Sequence, residues 1–440
     1  MNFPVQKLFV IPVLLIIMTN PKPVPSREAA QDEYYAQARE NLESLVYTHD
    51  AVAKWICGKV TYGEAYHGVL GWVHNPRVIQ HGIDGSHAIY EYDSDGARRV
   101  ITHAGRPCRI NTYGNSFTSC EQVNDAETWQ EMLAAHLCEP VRNFGIGGYS
   151  VYQSYRRMLL EESETPADYI IFNIYSDDHY RNLTGWRNIR LGYTVEMRPD
   201  VSSPTLPYIK SNPATEEFIE LDNPCPTPED VYRLCDPDWV FERFKDNFVL
   251  KMILAKRNIR NGTPEKSYAM MQALVKEHGI EMTIDDALSL REAADRVFTN
   301  AGIFASQRIV DKVNDYVARN GKRVLYVLSY GENVLKDTLE TGIRFDQPFI
   351  DYLDEKKLPY VDLLDAHFQD FAKYNISVDQ YAGQYWIGHY APQGNFFQAY
   401  AIKDKLIEML EPKPAPYLPT DRATFESPWE GGKKPTPRQN

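Results

Sequence analysis

Ser116 stands where a hydroxyl could act as a nucleophile. Residues 109–118 (RINTYGNSFT) form a β-prone run that breaks at Gly114 and ends on hydroxyl side chains, which predicts a strand, a tight turn and a helix start. Such a turn would set Ser116 at the carboxyl edge of a parallel sheet, where α/β folds place their ligands. It would also leave unpaired backbone N–H groups at the helix start to meet a developing oxyanion. Taken alone, Gly-Asn-Ser is also ordinary turn chemistry. Three later stretches supply partners. Residues 143–148 (NFGIGG) carry glycines that let backbone amides approach a ligand. Residues 175–182 (YSDDHYRN) gather Asp177, Asp178, His179 and Arg181 directly after an apolar run, and residues 388–395 (GHYAPQGN) put His389 in a turn before the last helix. A serine to attack, amides to hold an oxyanion and a histidine to move the proton make a set suited to acyl transfer.

The elements that must position these groups follow from periodicity. Residues 167–175 (ADYIIFNIY) are a nearly continuous apolar run, as in a strand buried on both faces. Strands at 109–113, 140–144, 323–329 and 358–362 alternate with helices near 126–137, 151–162, 363–373 and 392–410, which predicts a parallel sheet with right-handed crossovers. Before it, 28–48 reads as an amphipathic helix and 50–108 as short strands and turns. Between the third and fourth strands, 183–319 is first Pro-rich, then helical near 237–257, 264–279, 283–297 and 304–319, and reads as a lid or a substrate-shaping cap. Residues 411–440 lack apolar periodicity and are predicted to be disordered. The expected organisation is therefore a helix plus β-rich extension over 27–108, a catalytic domain over 109–182 and 320–410, an insertion over 183–319 and a tail.

At 440 residues, with 43% apolar and 24% charged residues, the composition is that of a globular protein. A formal charge of −13 argues against nucleic acid as the partner. Lys7 followed by the apolar run 8–18 fits a secretory signal, so 1–26 is read as a signal peptide or an uncleaved anchor. A secreted or periplasmic location follows, without other membrane contact. Six cysteines in an exported chain permit disulfides, with Cys225–Cys235 the first candidate pair. The absence of CxxC and HxxxH spacings argues against zinc, and no metal or organic cofactor is implied. Asn182, Asn261 and Asn375 open glycosylation sequons.

Taken together, the four stretches resemble the SGNH (GDSL-like) superfamily of serine esterases and acyltransferases. GNSFT resembles its first block, NFGIGG its second, 175–182 stands at the GxND block, and GHYAPQGN resembles the DxxH block. The resemblance covers 110–182 and 320–410 and implies a flavodoxin-like parallel sheet sandwiched by helices, the SGNH hydrolase fold. It implies Ser116 as nucleophile, His389 as general base, and the N–H groups of Ser116 and Gly148 as oxyanion donors. Two positions depart from it. Asp177 stands where the family has an amide donor, and is protonated, turned away, or displaced in register by one residue. Trp386 stands three before His389 in place of an acid, which leaves Asp379, Asp177 or a backbone carbonyl to hold Nδ1. Asp178 and Arg181 are further candidates for support, or pair with one another structurally. The implied activity is that of an exported serine esterase acting on an O-acyl ester, a small molecule or a glycan O-acetyl ester. An O-acyltransferase acting on envelope polysaccharide and a catalytically inactive SGNH-like binding protein are the alternatives.

Overall fold

In the computed structural model, which describes residues 27–57, 64–74, 77–93, 96–193, 197 and 205–418, five strands share one parallel sheet. They are β1 (Ile110–Tyr113), β2 (Arg142–Asn143), β3 (Tyr169–Tyr175), β4 (Arg323–Ser329) and β5 (Tyr360–Asp362), in the order β5-β4-β3-β1-β2. Read as 2-1-3-4-5, this is the flavodoxin-like order, whose switch point falls between β1 and β3. Ile110 lies opposite Tyr169 across β1 and β3, and Arg323 lies opposite Tyr169 across β3 and β4. Ile170, Ile171, Phe172 and Ile174 are all buried, which requires cover on both faces of the sheet. The Val151–Glu164 helix packs with Ala287–Arg319, and Trp129–Leu137 packs with Pro392–Met409, giving two helical layers. Two antiparallel hairpins, Glu64–His67 with Gly71–His74 and Arg77–His81 with His87–Glu91, precede the sheet.

Several helix boundaries differ from the sequence expectation. The helices predicted at 283–297 and 304–319 are one element of 33 residues, Ala287–Arg319, which leads into β4. Asn300 and Gly302 suggest a stop, yet Gly302 is a contact point. A Cβ there would meet the His179 carbonyl oxygen at 2.8 Å, so the glycine lets the long helix lie against the residues that follow β3. Conversely, the helix predicted at 237–257 is two, Pro237–Phe244 and Phe248–Arg260, because Asn247 caps the second by accepting from Val249 N and Leu250 N.

Three further expectations are corrected. All six cysteines are free, so no Cys225–Cys235 bond forms. Asn182 is buried and donates to Ser306 Oγ at 2.9 Å, which removes it as a glycosylation acceptor in the folded chain. The predicted disorder does not begin at 411. Glu411 is clasped by Tyr169, whose hydroxyl accepts from its N–H at 2.7 Å and donates to its carbonyl at 3.0 Å. The signal or anchor segment 1–26 and the tail beyond 418 lie outside the described residues. Among the described residues, no helix is long and apolar enough to cross a membrane.

Candidate functional site

Ser116 opens a one-turn helix, Ser116–Ser119, immediately after β1, and is buried. The turn is specified residue by residue. Gly114 has φ +154, and a Cβ there would meet Thr118 Oγ1 at 2.1 Å and the Asn173 carbonyl at 2.8 Å, so only glycine fits. Asn115 caps the helix by accepting from Phe117 N at 2.8 Å, and its Nδ2 donates to Asp178 Oδ1 at 2.8 Å. Trp129 Nε1 and Gln130 Nε2 donate to the carbonyls of Phe117 and Thr118. As the first residue of its helix, Ser116 has no intrahelical partner for its N–H.

The glycine-rich loop after β2 lies directly on this helix. Ile146 N donates to the Gly114 carbonyl at 3.1 Å, and a Cβ on Gly145 would stand 2.2 Å from Ser119 N. Trp72, from the amino-terminal hairpin, donates through Nε1 to the Gly147 carbonyl at 3.1 Å and so fixes the loop from outside. Gly148 has φ +75, a conformation that favours glycine. Among the described residues, neither the Ser116 amide nor the Gly148 amide donates to a protein acceptor.

Asp177 and Asp178 follow β3 and diverge. Arg190 grips Asp177 through two bonds, Nη1 to Oδ1 at 2.7 Å and Nη2 to Oδ2 at 2.8 Å, and Arg181 Nε adds a third at 2.9 Å. Burial opposes its charge, but the two guanidiniums outweigh burial and hold the Asp177 carboxyl well below the usual carboxylate range. An ionised carboxylate has no proton to give, so Asp177 is not an oxyanion donor. Asp178 turns inward, accepting from Asn115 Nδ2, from Tyr175 N at 3.0 Å and from Arg181 Nη1 at 2.9 Å. Burial pushes its carboxyl up to about 7 against the pull of Arg181. Asp178 and Arg181 thus tie the β1 and β3 loops together. His179 is a core residue, bonded through Nδ1 to Ser306 Oγ at 2.8 Å.

His389 stands beside the Ser116 turn, its ring 5.2 Å from that of Phe117. Its backbone N–H and its Nδ1 both meet Gln122 Oε1, at 2.8 and 2.9 Å. Because the backbone N–H can only donate, that Gln122 atom is the acceptor oxygen, and Nδ1 carries the proton. Nε2 is left with its lone pair, facing the Glu121 carboxylate at 3.7 Å. Burial lowers the imidazole pKa, with Glu121 raising it and Arg181 lowering it. Asp379 does not support this ring. It is 83% exposed and paired with Lys336 at 2.7 Å. Among the described residues, no hydrogen bond joins Ser116 Oγ to His389, and no group of His, Cys, Asp and Glu side chains could hold a metal.

Sequence reasoning missed Gln122, Glu121, Arg98, Arg187 and Arg190. Gln122 and Glu121 carry no motif of their own and sit in a loop held by Arg98, which donates to the carbonyls of Ser119, Cys120 and Val123. Arg187 and Arg190 were legible only as basic residues downstream of Arg181.

Strand order and turn chemistry define a flavodoxin-like α/β protein whose serine-bearing turn stands at the switch point. No family model and no curated protein matches the chain. Among solved structures it is similar to a lipolytic protein of the G-D-S-L family from Desulfitobacterium hafniense, at 10% identity and TM-score 0.31, over 67% of this chain and 98% of that one. It is also similar to a member of the lipolytic protein G-D-S-L family from Veillonella parvula, at 12% identity and TM-score 0.33, over 68% of this chain and 98% of that one. At these scores the fold assignment rests on strand order, and the site on its own geometry.

Proposed function

We propose that the chain is a serine esterase that cleaves an O-acyl ester through an acyl-enzyme. Carrying this reading is the tautomer of His389: Gln122 holds Nδ1–H and leaves the Nε2 lone pair free, on a ring 5.2 Å from that of Phe117, the residue after Ser116. The Ser116 proton passes to Nε2 as Oγ bonds to the ester carbon, and the carbonyl π pair moves onto oxygen. The N–H groups of Ser116 and Gly148 receive that charge. Collapse breaks the bond to the alcohol, which leaves with the proton from Nε2, and water repeats the sequence to release the acid. Export belongs to the same proposal and rests on the apolar run 8–18. A glycan O-acetyl ester is the substrate class in view.

A fluorophosphonate tests the assignment. It is expected to label Ser116, and Ser116→Ala and His389→Ala are each expected to lower p-nitrophenyl acetate turnover by roughly 10³-fold or more. A protein that neither labels nor turns over rules the esterase reading out.

A further inference from the structure

We propose that His367 is a positioning residue of this site: its Nε2 accepts the Tyr390 hydroxyl proton and so holds, from behind, the turn that carries His389. The inference rests on the esterase reading and deepens it. Gln122 fixes the His389 ring, but a ring is only as well placed as the main chain beneath it. Trp386, three residues earlier, offers no carboxylate to His389.

His367 lies in the helix Leu363–Phe371 that follows β5 and is buried. Its ring is stacked on Phe397, 4.2 Å between centroids, and lies 4.6 Å from the Trp386 ring. Nδ1 is 3.1 Å from the Tyr381 hydroxyl and Nε2 is 2.9 Å from the Tyr390 hydroxyl. Counting protons decides which way these bonds run. Tyr381 has one proton, and the neighbours that can take it are the Asp370 carboxylate at 3.1 Å and the His367 carbonyl at 3.3 Å, both acceptors. Its oxygen therefore accepts at Nδ1, which carries the hydrogen. Burial keeps the ring neutral, lowering its pKa to about 3 against the pull of Asp370. A neutral ring has one N–H, so Nε2 is an acceptor and Tyr390 is its donor.

Tyr390 carries this order to the site. It follows His389 in the chain, and its ring stands edge-on to Phe117 at 5.3 Å, while the His389 ring meets Phe117 at 5.2 Å. The turn between is tight: Trp386 and Tyr390 form an antiparallel bridge, and Ile387 N donates to the His389 carbonyl at 2.8 Å. Both ends of the turn thus rest on His367, Trp386 against its ring and Tyr390 on its Nε2. Tyr390 is buried, and among the described residues its hydroxyl meets only that nitrogen. Without it a buried donor is left unsatisfied, and the turn has reason to shift.

The test compares wild type, Tyr390→Phe, His367→Phe, His367→Gln and the double His367→Phe/Tyr390→Phe on p-nitrophenyl acetate across pH, with fluorophosphonate labelling and a thermal melt of each. Tyr390→Phe removes one oxygen and keeps the ring on Phe117. It is expected to lower kcat about tenfold with KM nearly unchanged. The acid limb of kcat/KM should rise by about half a pH unit or more toward the ordinary histidine value, because a looser turn lets water reach His389. His367→Phe should do the same, and the double variant should be no slower than either single one, as for two ends of one bond. His367→Gln, whose amide oxygen can accept from Tyr390, should recover most of the rate. Labelling of wild type at Ser116, with Tyr390→Phe less than about threefold slower or its acid limb unmoved, overturns the inference and leaves the esterase standing. Additive losses in the double variant, or a His367→Gln no faster than His367→Phe, also overturn it, since a purely structural histidine would give those results. If the His367 variants do not fold, Tyr390→Phe decides alone by the same two readings. A wild type that neither labels nor turns over removes the esterase reading, and this inference with it.

Discussion

The turn that carries Ser116 and the turn that carries His389 are fixed by contacts of different kinds. Around Ser116 the backbone is pressed against backbone: Gly145 on Ser119 N, Gly114 on the Asn173 carbonyl, Ile146 N on the Gly114 carbonyl. Around His389 a side chain does the holding, with Gln122 reaching across 267 positions of sequence to both the main chain and the ring. Close backbone packing leaves the Ser116 turn little room to shift. A side-chain hold keeps the His389 ring oriented but open to electrostatic adjustment by Glu121 and Arg181. The Ser116 turn is thus fixed by shape and the His389 ring is tuned by charge.

Substitutions can break this contrast in order of severity. Gly145→Ala should be the most damaging, because the new methyl meets main-chain atoms at 2.2 and 2.6 Å that cannot rotate away. It should destabilise the fold by roughly 2–4 kcal/mol in urea denaturation and abolish turnover. Gln122→Ala should leave the urea midpoint nearly unchanged and lower kcat by about 10–100-fold, as the ring loses its fixed tautomer. Equal losses of stability from both variants would erase the distinction.

Glu121→Gln should act more gently and only through pH. In the proposed mechanism the neutral imidazole is the active base, and its lowered pKa puts the expected acid limb of kcat/KM below the ordinary histidine value. Glu121 favours the protonated ring, so removing its charge should move that limb to still lower pH. A shift upward would show that Glu121 does not act on His389 through charge. Asp379→Asn, at an exposed position paired with Lys336, should change neither rate nor pH profile.

The same division explains what the sequence could and could not reveal. β3 was legible because a strand buried on both faces must be apolar throughout, and the Ser116 turn because its glycine and cap are adjacent in sequence. The long helix was misread as two because Gly302 looks like a breaker unless the His179 carbonyl that it admits is known. Gln122 was invisible because its meaning lies entirely in a residue 267 positions away. Asp177 could be named as a departure, but its ionisation depends on Arg181 and Arg190 together, and no local pattern marks Arg190. The Cys225 and Cys235 spacing suggested a bond that the folded chain does not make.

The indole of Trp72 has a bearing on how small a working version of this protein could be. A fragment beginning at residue 109 would contain every recognisable block, yet the Gly147 carbonyl would lose its donor and Arg187 the ring beneath it. The motifs mark where the chemistry is written, and the working unit extends past them to a hairpin that bears no motif. Grafting or trimming guided by the blocks alone would yield a serine turn whose glycine loop has lost its outer support.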